Sequence, residues 1–273
     1  MNRLKQLGYF FLPLPLAAGA FAQEDKAIRI GFKECQAATN FPPAIKEKIS
    51  SLKWYFAHAS VGMDMMGGIA DLHSSDAGNF QFQAASADKS PPTKTQPSSI
   101  YEHNRGNPGW KAKFDQFESC VRNGWHAPQV NIALNKLCFI DQAASYKYYL
   151  HSMTNLEAEF PQTIFVYMTI PLTTASDGDN YLRHAFNERV RDWCQKNGRV
   201  LFDIADIEAH DPDGKLCTFS YRNKTAQKLS EKYTNDGGHL VGGGRQLVAR
   251  GFYALAAALI EKNRVEPPLS AAR

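Results

Sequence analysis

The feature that most constrains the fold is a regular alternation of apolar, strand-like segments with segments of helical periodicity. The clearest strand is TIFVYMTIPL, residues 163–172, and a helix is predicted soon after it. Strands that alternate with helices indicate βαβ units and a parallel sheet with helices on both faces. The sequence therefore predicts an α/β fold, a flavodoxin-like three-layer sandwich with a five-stranded parallel sheet. The five predicted strands lie in residues 52–58, 80–86, 130–140, 163–172 and 199–207.

The length of the chain sets its domain organisation. Its 273 residues are enough for one sizeable domain and short for two. We expect a signal peptide at residues 1–22, an N-terminal lead-in at 23–49 and a single folded domain at 50–265. Within that domain, residues 87–108 are rich in Pro, Ser, Thr, Lys and Asn, which predicts a long loop.

The N-terminus has the pattern of an export signal. Arg3 and Lys5 precede a short apolar stretch at residues 9–16, and small residues end at Ala22. The apolar stretch contains two prolines and is too short to cross a bilayer comfortably. We expect cleavage before Gln23, a periplasmic or secreted mature protein, and no integral membrane span after processing.

Charge and cysteine content exclude several classes of function. The net charge is only +4, and the predicted signal peptide holds two of the positive charges, so nucleic acid is not an expected partner. The five cysteines include no CxxC pair, which gives zinc and thiol-redox sites little support. No cofactor or metal is predicted. Export permits disulfides, but the sequence leaves their pairing open.

Ser60 is the first candidate for chemistry. It lies in the string HASVG, directly after the first predicted strand and before a predicted helix. A hydroxyl at this point would lie above the carboxyl end of the sheet, close to the unpaired N–H groups of the helix N-terminus. The alternative is that Ser60 only caps the helix.

Asp236 and His239 are the second pair of candidates. They lie three residues apart in NDGGHL, residues 235–240, before the last predicted helix. An Asp beside a His can accept the Nδ1 hydrogen and orient the imidazole, and the histidine can then take a proton from a serine. The alternative is an ordinary loop aspartate with a capping histidine.

Together these residues resemble the SGNH (GDSL-like) hydrolases, a superfamily of esterases with a flavodoxin-like fold. In that family the nucleophilic serine follows the first strand, and a D-x-x-H block near the C-terminus carries the other two triad residues. Ser60, Asp236 and His239 match those positions and that chain order. The resemblance covers residues 52–260 and is closest to divergent exported members, in which HASVG stands in place of Gly-Asp-Ser.

The resemblance also implies an oxyanion hole. The backbone N–H of Ser60 would be one donor, and the N–H of a glycine after the second strand would be another. In HNRGNPGW, residues 103–110, Gly106 is the predicted donor and Gly109 the second choice. A glycine suits this role because it permits close approach of the backbone.

One block of the family is not matched. The family normally supplies an asparagine side chain after its third strand, but LCFID at residues 137–141 has Ile140 at that position and Asp141 after it. Isoleucine cannot donate a hydrogen bond. We predict that Asn107, next to Gly106, supplies the missing donor.

Three functions follow from these candidates. The first is an exported serine esterase for short-chain esters, with carbohydrate O-acetyl esters as one substrate class. The second is an O-acetyltransferase with the same triad, in which a sugar hydroxyl replaces water. The third is a non-catalytic glycan-binding domain of the same fold. A small-molecule or carbohydrate ester is the expected partner of the first two.

Overall fold

A parallel β-sheet forms the centre of the molecule. The structure is a computed structural model that describes residues 26–265, so the predicted signal peptide lies outside the described residues. Seven parallel strands form the sheet in the order β1-β7-β6-β5-β2-β4-β3. In chain order the strands are β1 (Ile28–Ile30), β2 (Lys53–His58), β3 (Gln83–Ser86), β4 (Ser99–Asn104), β5 (Ile132–Asn135), β6 (Ile164–Met168) and β7 (Val200–Phe202).

Helices cover both faces of this sheet. Within residues 26–265 no helix is both long and apolar enough to cross a membrane. One face packs against α1 (Phe32–Ala37), α2 (Pro43–Ser50), α3 (Val61–Ser75), α7 (Ile204–Ala209) and α8 (Gly242–Glu261). The other face packs against α4 (Trp110–Arg122), α5 (Tyr146–Glu159) and α6 (Gly178–Lys196). A separate antiparallel hairpin consists of β8 (Thr218–Tyr221) and β9 (Lys224–Gln227).

The predicted fold class is confirmed, but the number of strands is wrong. The sheet has seven strands instead of five, because β1 and β4 were not predicted. Strand β4 lies inside residues 87–108, which were predicted to be a loop. Only Ile100 and Tyr101 are buried in it. Its extended form comes from a six-residue ladder with β2, a long-range pairing that local composition does not reveal.

The strand order explains where a ligand would bind. The inner strands β4-β2-β5-β6-β7 have the flavodoxin-like order. The chain leaves β2 to form β4 on one side and then crosses to form β5 on the other side. A crevice therefore opens beyond the carboxyl end of β2, which is the usual ligand site of such sheets. Ser60 lies two residues beyond the end of β2.

The packing of α3 against α8 brings distant parts of the chain together. At the contact, a Cβ on Gly68 would lie 2.3 Å from the carbonyl oxygen of Arg245 and 2.8 Å from the Cβ of Ala249. The Asp71 carboxylate also forms a bidentate ion pair with Arg245, at 2.7 and 2.9 Å. Helix α3 directly follows Ser60, and α8 begins shortly after His239. The contact between the two helices therefore brings the predicted serine segment close to the predicted histidine segment.

The cysteines form no disulfides. All five lie within residues 26–265, and each is a free thiol. Four of them are buried, and Cys217 is partly exposed. The fold therefore depends on packing and hydrogen bonds without covalent cross-links.

The α3–α8 contact gives a test with a neighbouring control. We expect Gly68→Ala to destabilise the protein by about 1–3 kcal/mol, because its methyl group has no room between the helices. Gly67→Ala should stabilise it by up to about 1 kcal/mol, because alanine favours helix and the nearest atom would be 3.5 Å away. Urea unfolding of both variants checks this, and equal midpoints would contradict the close contact.

Candidate active site

Ser60 has a strained backbone. It stands between β2 and α3 with φ +54° and ψ −118°. A residue with a Cβ rarely adopts this conformation, and such strain is concentrated at functional sites. Ser60 occupies the N-cap position of α3, but its side chain makes no capping hydrogen bond. The capping alternative therefore does not describe its hydroxyl, which points elsewhere.

The hydroxyl of Ser60 points at His239. Its Oγ lies 2.6 Å from Nε2 of His239, and Nδ1 of the same ring lies 2.7 Å from Oδ2 of Asp236. An ionised carboxylate can only accept, so the Nδ1–H donates to Asp236. In the neutral ring Nε2 then has a free lone pair and accepts the hydrogen of Ser60. The structure thus brings together three of the predicted site residues in one hydrogen-bonded chain.

Asp236 is held as a carboxylate by its own loop. Its Oδ1 accepts the backbone N–H groups of His239 at 2.8 Å and Gly238 at 2.9 Å, and the hydroxyl of Thr234 at 3.2 Å. The hydrogen bonds from His239, and then that from Gly238, hold the pKa of Asp236 well below its ordinary value of 3.8. Asp236 therefore stays ionised while its other oxygen accepts from the histidine ring.

Two contacts fix the loop that carries His239. The N–H of Thr174 donates to the carbonyl of Gly237 at 3.0 Å, which ties the loop to the segment after β6. The N–H of Leu240 donates to Oδ2 of Asp64 at 2.9 Å, which ties it to the first turn of α3. His239 lies between these two anchors, so both sides of its backbone are held.

The site is open and adjoins a mixed cavity. The side chain of His239 is 42% exposed and that of Asp236 is 57% exposed. A cavity of about 480 Å³ lies beside His239, between the loops after β5 and β6 and the start of α6. The ring of Phe139 lies edge-on to the imidazole at 5.3 Å. The cavity presents both apolar and hydrogen-bonding groups, among them Phe139, Ile140, Thr173, Asp177 and Asp179.

The predicted oxyanion residues lie on the exposed loop after β4. Gly106 has φ +68°, and its N–H donates weakly to Oδ1 of Asn104 at 3.3 Å. Asn107 is exposed on the same loop. The N–H of Arg105 donates to the carbonyl of His58 at 3.0 Å, which holds the loop against the end of β2. The loop thus adjoins the serine's strand, and the roles of Gly106 and Asn107 remain predictions.

The loop after β5 supports the serine without offering a side-chain amide. Asp141 is buried, accepts the N–H of Cys138 at 2.7 Å and forms an ion pair with Lys113, so it points into the interior. The thiol of Cys138 contacts the carbonyl oxygen of Ala59 at 3.4 Å. This loop therefore holds the backbone just before Ser60, while Ile140 is exposed.

Two residues near Ser60 were missed in the sequence. The Asn104 carboxamide contacts the sulfur of Met63 at 3.4 Å, in the first turn of α3. Asn104 ends β4 opposite His58, a register that is invisible when the strand itself is not predicted. Asp64 could have been noticed as an acidic residue in the first turn of the helix after Ser60.

A buried glutamate lies beneath the cavity wall. Oε2 of Glu208 accepts the N–H of Leu172 at 2.7 Å, at the start of the loop after β6. Its Oε1 has no hydrogen-bond partner in the described part of the chain. Burial raises the pKa of Glu208 from 4.5 to about 8, against the opposing charge of buried Lys136. Burial therefore favours the protonated form of Glu208 in the folded protein.

This raised pKa predicts a pH dependence of stability. Unfolding releases the proton of Glu208 between pH 4.5 and 8, so its contribution is complete below pH 4.5 and is lost as the pH rises through 8. Glu208→Gln imitates the protonated form, and its stability advantage over the wild type should grow between pH 5 and 8. Urea unfolding across this range measures it. Glu231→Gln, at an exposed glutamate, should keep the wild-type slope.

The strain at Ser60 predicts a gain in stability when the Cβ is removed. Ser60→Gly should raise the free energy of unfolding by about 1–3 kcal/mol, because glycine adopts this backbone conformation without strain. Ser60→Ala removes the same hydroxyl and keeps the Cβ, so it should show no such gain. Thermal or urea unfolding compares them, and equal stability of the two variants would show that the backbone is not strained.

Comparisons with known proteins show similarity in fold only. No protein-family model matches the chain, and no curated protein is significantly similar in sequence. Among solved structures, a GDSL-like lipase from Bacteroides thetaiotaomicron aligns over 85% of this chain and 93% of that chain, with 11% identity and a TM-score of 0.45. A variant of an acetyl-xylooligosaccharide esterase from Geobacillus aligns over 77% of this chain and 96% of that chain, with 11% identity and a TM-score of 0.44.

Proposed function

We propose that this chain is a serine esterase that cleaves short-chain esters through an acyl-enzyme. The observation that carries the proposal is the chain of hydrogen bonds from Ser60 through His239 to Asp236. A serine, a histidine and a carboxylate in this order are the parts that acyl transfer needs. The strained backbone of Ser60 supports the assignment. Its positive φ lowers the stability of the fold, and such strain is typical of functional sites.

Each residue then has a defined role in acylation. The Oγ of Ser60 attacks the ester carbonyl while Nε2 of His239 takes its proton. Asp236 keeps the Nδ1–H in place and stabilises the imidazolium that forms. When the tetrahedral intermediate breaks down, His239 gives the proton to the leaving alcohol. Water then attacks the acyl-enzyme with His239 as base, which releases the acid and restores Ser60.

The oxyanion is proposed to lie against the start of α3 and the loop after β4. The N–H of Ser60 lies at the N-terminus of a helix, where N–H groups have no partner within the helix. Gly106 is the proposed second donor, since its N–H donates only weakly to Asn104 at 3.3 Å and can turn to the oxyanion. Asn107 is the proposed side-chain donor. Each donor of this kind is worth roughly 10²–10³ in rate.

The cavity supports a hydroxyl-rich alcohol group in the substrate. It lies beside His239, which must protonate the leaving alcohol, so the alcohol half of the ester belongs there. Thr173, Asp177 and Asp179 offer hydrogen-bonding groups, and Phe139 and Ile140 offer apolar surface. This mixture suits the polar edges and apolar faces of a sugar. We therefore propose a carbohydrate O-acetyl ester as substrate and, from the N-terminal sequence, an exported enzyme.

The experiment is hydrolysis of p-nitrophenyl acetate and of an acetylated sugar by the mature protein. Ser60→Ala and His239→Ala should each lower kcat by at least about 10³-fold, and Asp236→Asn by roughly 10²–10⁴-fold. Ser74→Ala is the matched control, since Ser74 is an exposed serine on the same helix. Circular dichroism verifies that each variant is folded.

Two results would contradict the proposal. Wild-type protein with no activity on either ester would exclude this esterase, and a Ser60→Ala variant as active as the wild type would exclude Ser60 as the nucleophile. Product analysis with an added sugar acceptor separates hydrolysis from transfer. Free acetate as the main product in the presence of the acceptor supports the esterase, and acetylated acceptor as the main product identifies a transferase.

A further inference from the structure

One hydrogen bond connects the helix of the serine to the loop of the histidine. Oδ2 of Asp64 accepts the N–H of Leu240 at 2.9 Å. Asp64 lies four residues after Ser60, one turn along α3, and Leu240 directly follows His239. The bond therefore joins positions adjacent to both partners of the Ser60–His239 hydrogen bond.

Asp64 is half-buried among charged groups. The charges of His239 and Lys136 favour its ionised form, and the charge of Asp236 opposes them. Partial burial raises the pKa of Asp64, and the hydrogen bond from Leu240 opposes that rise. The carboxylate is thus partly removed from solvent where it makes this one backbone contact, and a polar group placed so is costly without its partner.

The contact matters because the other anchor of the histidine loop, from Thr174 to Gly237, ties it to the segment after β6 and not to the helix of the serine. His239 and Asp236 are both exposed, and the aspartate bonds mainly within its own loop. Asp236 therefore orients the imidazole but does not fix the loop relative to Ser60. Asp64 contacts the loop from the serine's own helix, and a shift of 1 Å between reacting groups can cost about 10²-fold in rate.

We propose that Asp64 is a positioning residue that sets the distance between Ser60 and His239 by holding the backbone of Leu240 to the first turn of α3. This inference rests on the proposed esterase function. Asp64 would then be a fourth residue that the reaction needs beside the triad, although it touches neither the substrate nor the reacting atoms.

The chain offers a conservative variant and a matched control. Asp64→Asn keeps a side-chain oxygen that can accept the N–H of Leu240, whereas Asp64→Ala removes the acceptor. Asp71→Ala is the control, because Asp71 also ties α3 to α8 through Arg245 but lies about two turns from the site segment. Loss of helix contact alone would affect Asp71→Ala and Asp64→Ala alike.

The measurement is kcat and KM for p-nitrophenyl acetate, with the melting temperature of each variant. We expect Asp64→Ala to lower kcat by about 10²-fold with KM within threefold, because a misplaced base affects chemistry more than binding. Asp64→Asn should regain at least tenfold of that loss, and Asp71→Ala should keep kcat within twofold. Equal kcat values in Asp64→Ala and Asp71→Ala would overturn the inference, as would an Asp64→Asn enzyme as slow as Asp64→Ala.

A crystal structure of Asp64→Ala separates this inference from the proposed function. We expect the distance from Ser60 Oγ to His239 Nε2 to exceed 3.5 Å, beyond a hydrogen bond. An unchanged distance of about 2.6 Å would overturn the positioning role, whatever the activity. If the wild type hydrolyses no ester while the variant shows the longer distance, the esterase proposal fails and the positioning role stands. If Asp64→Ala does not fold, Asp64→Glu decides the question: the longer side chain should displace the backbone of Leu240 and lengthen the distance, and an unchanged distance would overturn the positioning role.

Discussion

The contact between α3 and α8 is the constraint on which the site depends. Ser60 and His239 are separated by 179 positions in the chain, and they meet because the helices that follow them pack closely. Gly68 allows that close approach, and the partly exposed ion pair of Asp71 with Arg245 lies further along the same contact, away from the site. The parallel sheet supplies the other half of the geometry, since the switch point at β2 leaves a crevice where the serine emerges.

The sequence reveals those parts of the site that have a local pattern. Ser60 follows a clear apolar strand, and Asp236 and His239 lie three residues apart in a glycine-containing loop. Each pattern can be recognised within one short segment. The order of elements then predicts that the segments converge, because the carboxyl ends of parallel strands meet at one edge of the sheet.

Other parts depend on pairings that no local pattern reveals. Strand β4 has only two buried residues and is extended because β2 lies beside it, so Asn104 was not recognised as a strand end next to the serine. Asp141 was aligned with a family block by its position, but buried Lys113 draws it into the interior. The bond from Leu240 to Asp64 is likewise a long-range contact, since those residues lie 176 positions apart.

The free cysteines described above have a consequence for how the protein can be produced. A chain with five thiols and no disulfide needs no oxidant and no disulfide isomerase to reach its native state. Four of the thiols are buried, and burial keeps them from reacting with small disulfides and other oxidants in solution. An oxidising compartment is therefore not required for folding, and the partly exposed Cys217 is the thiol that such a compartment would oxidise first.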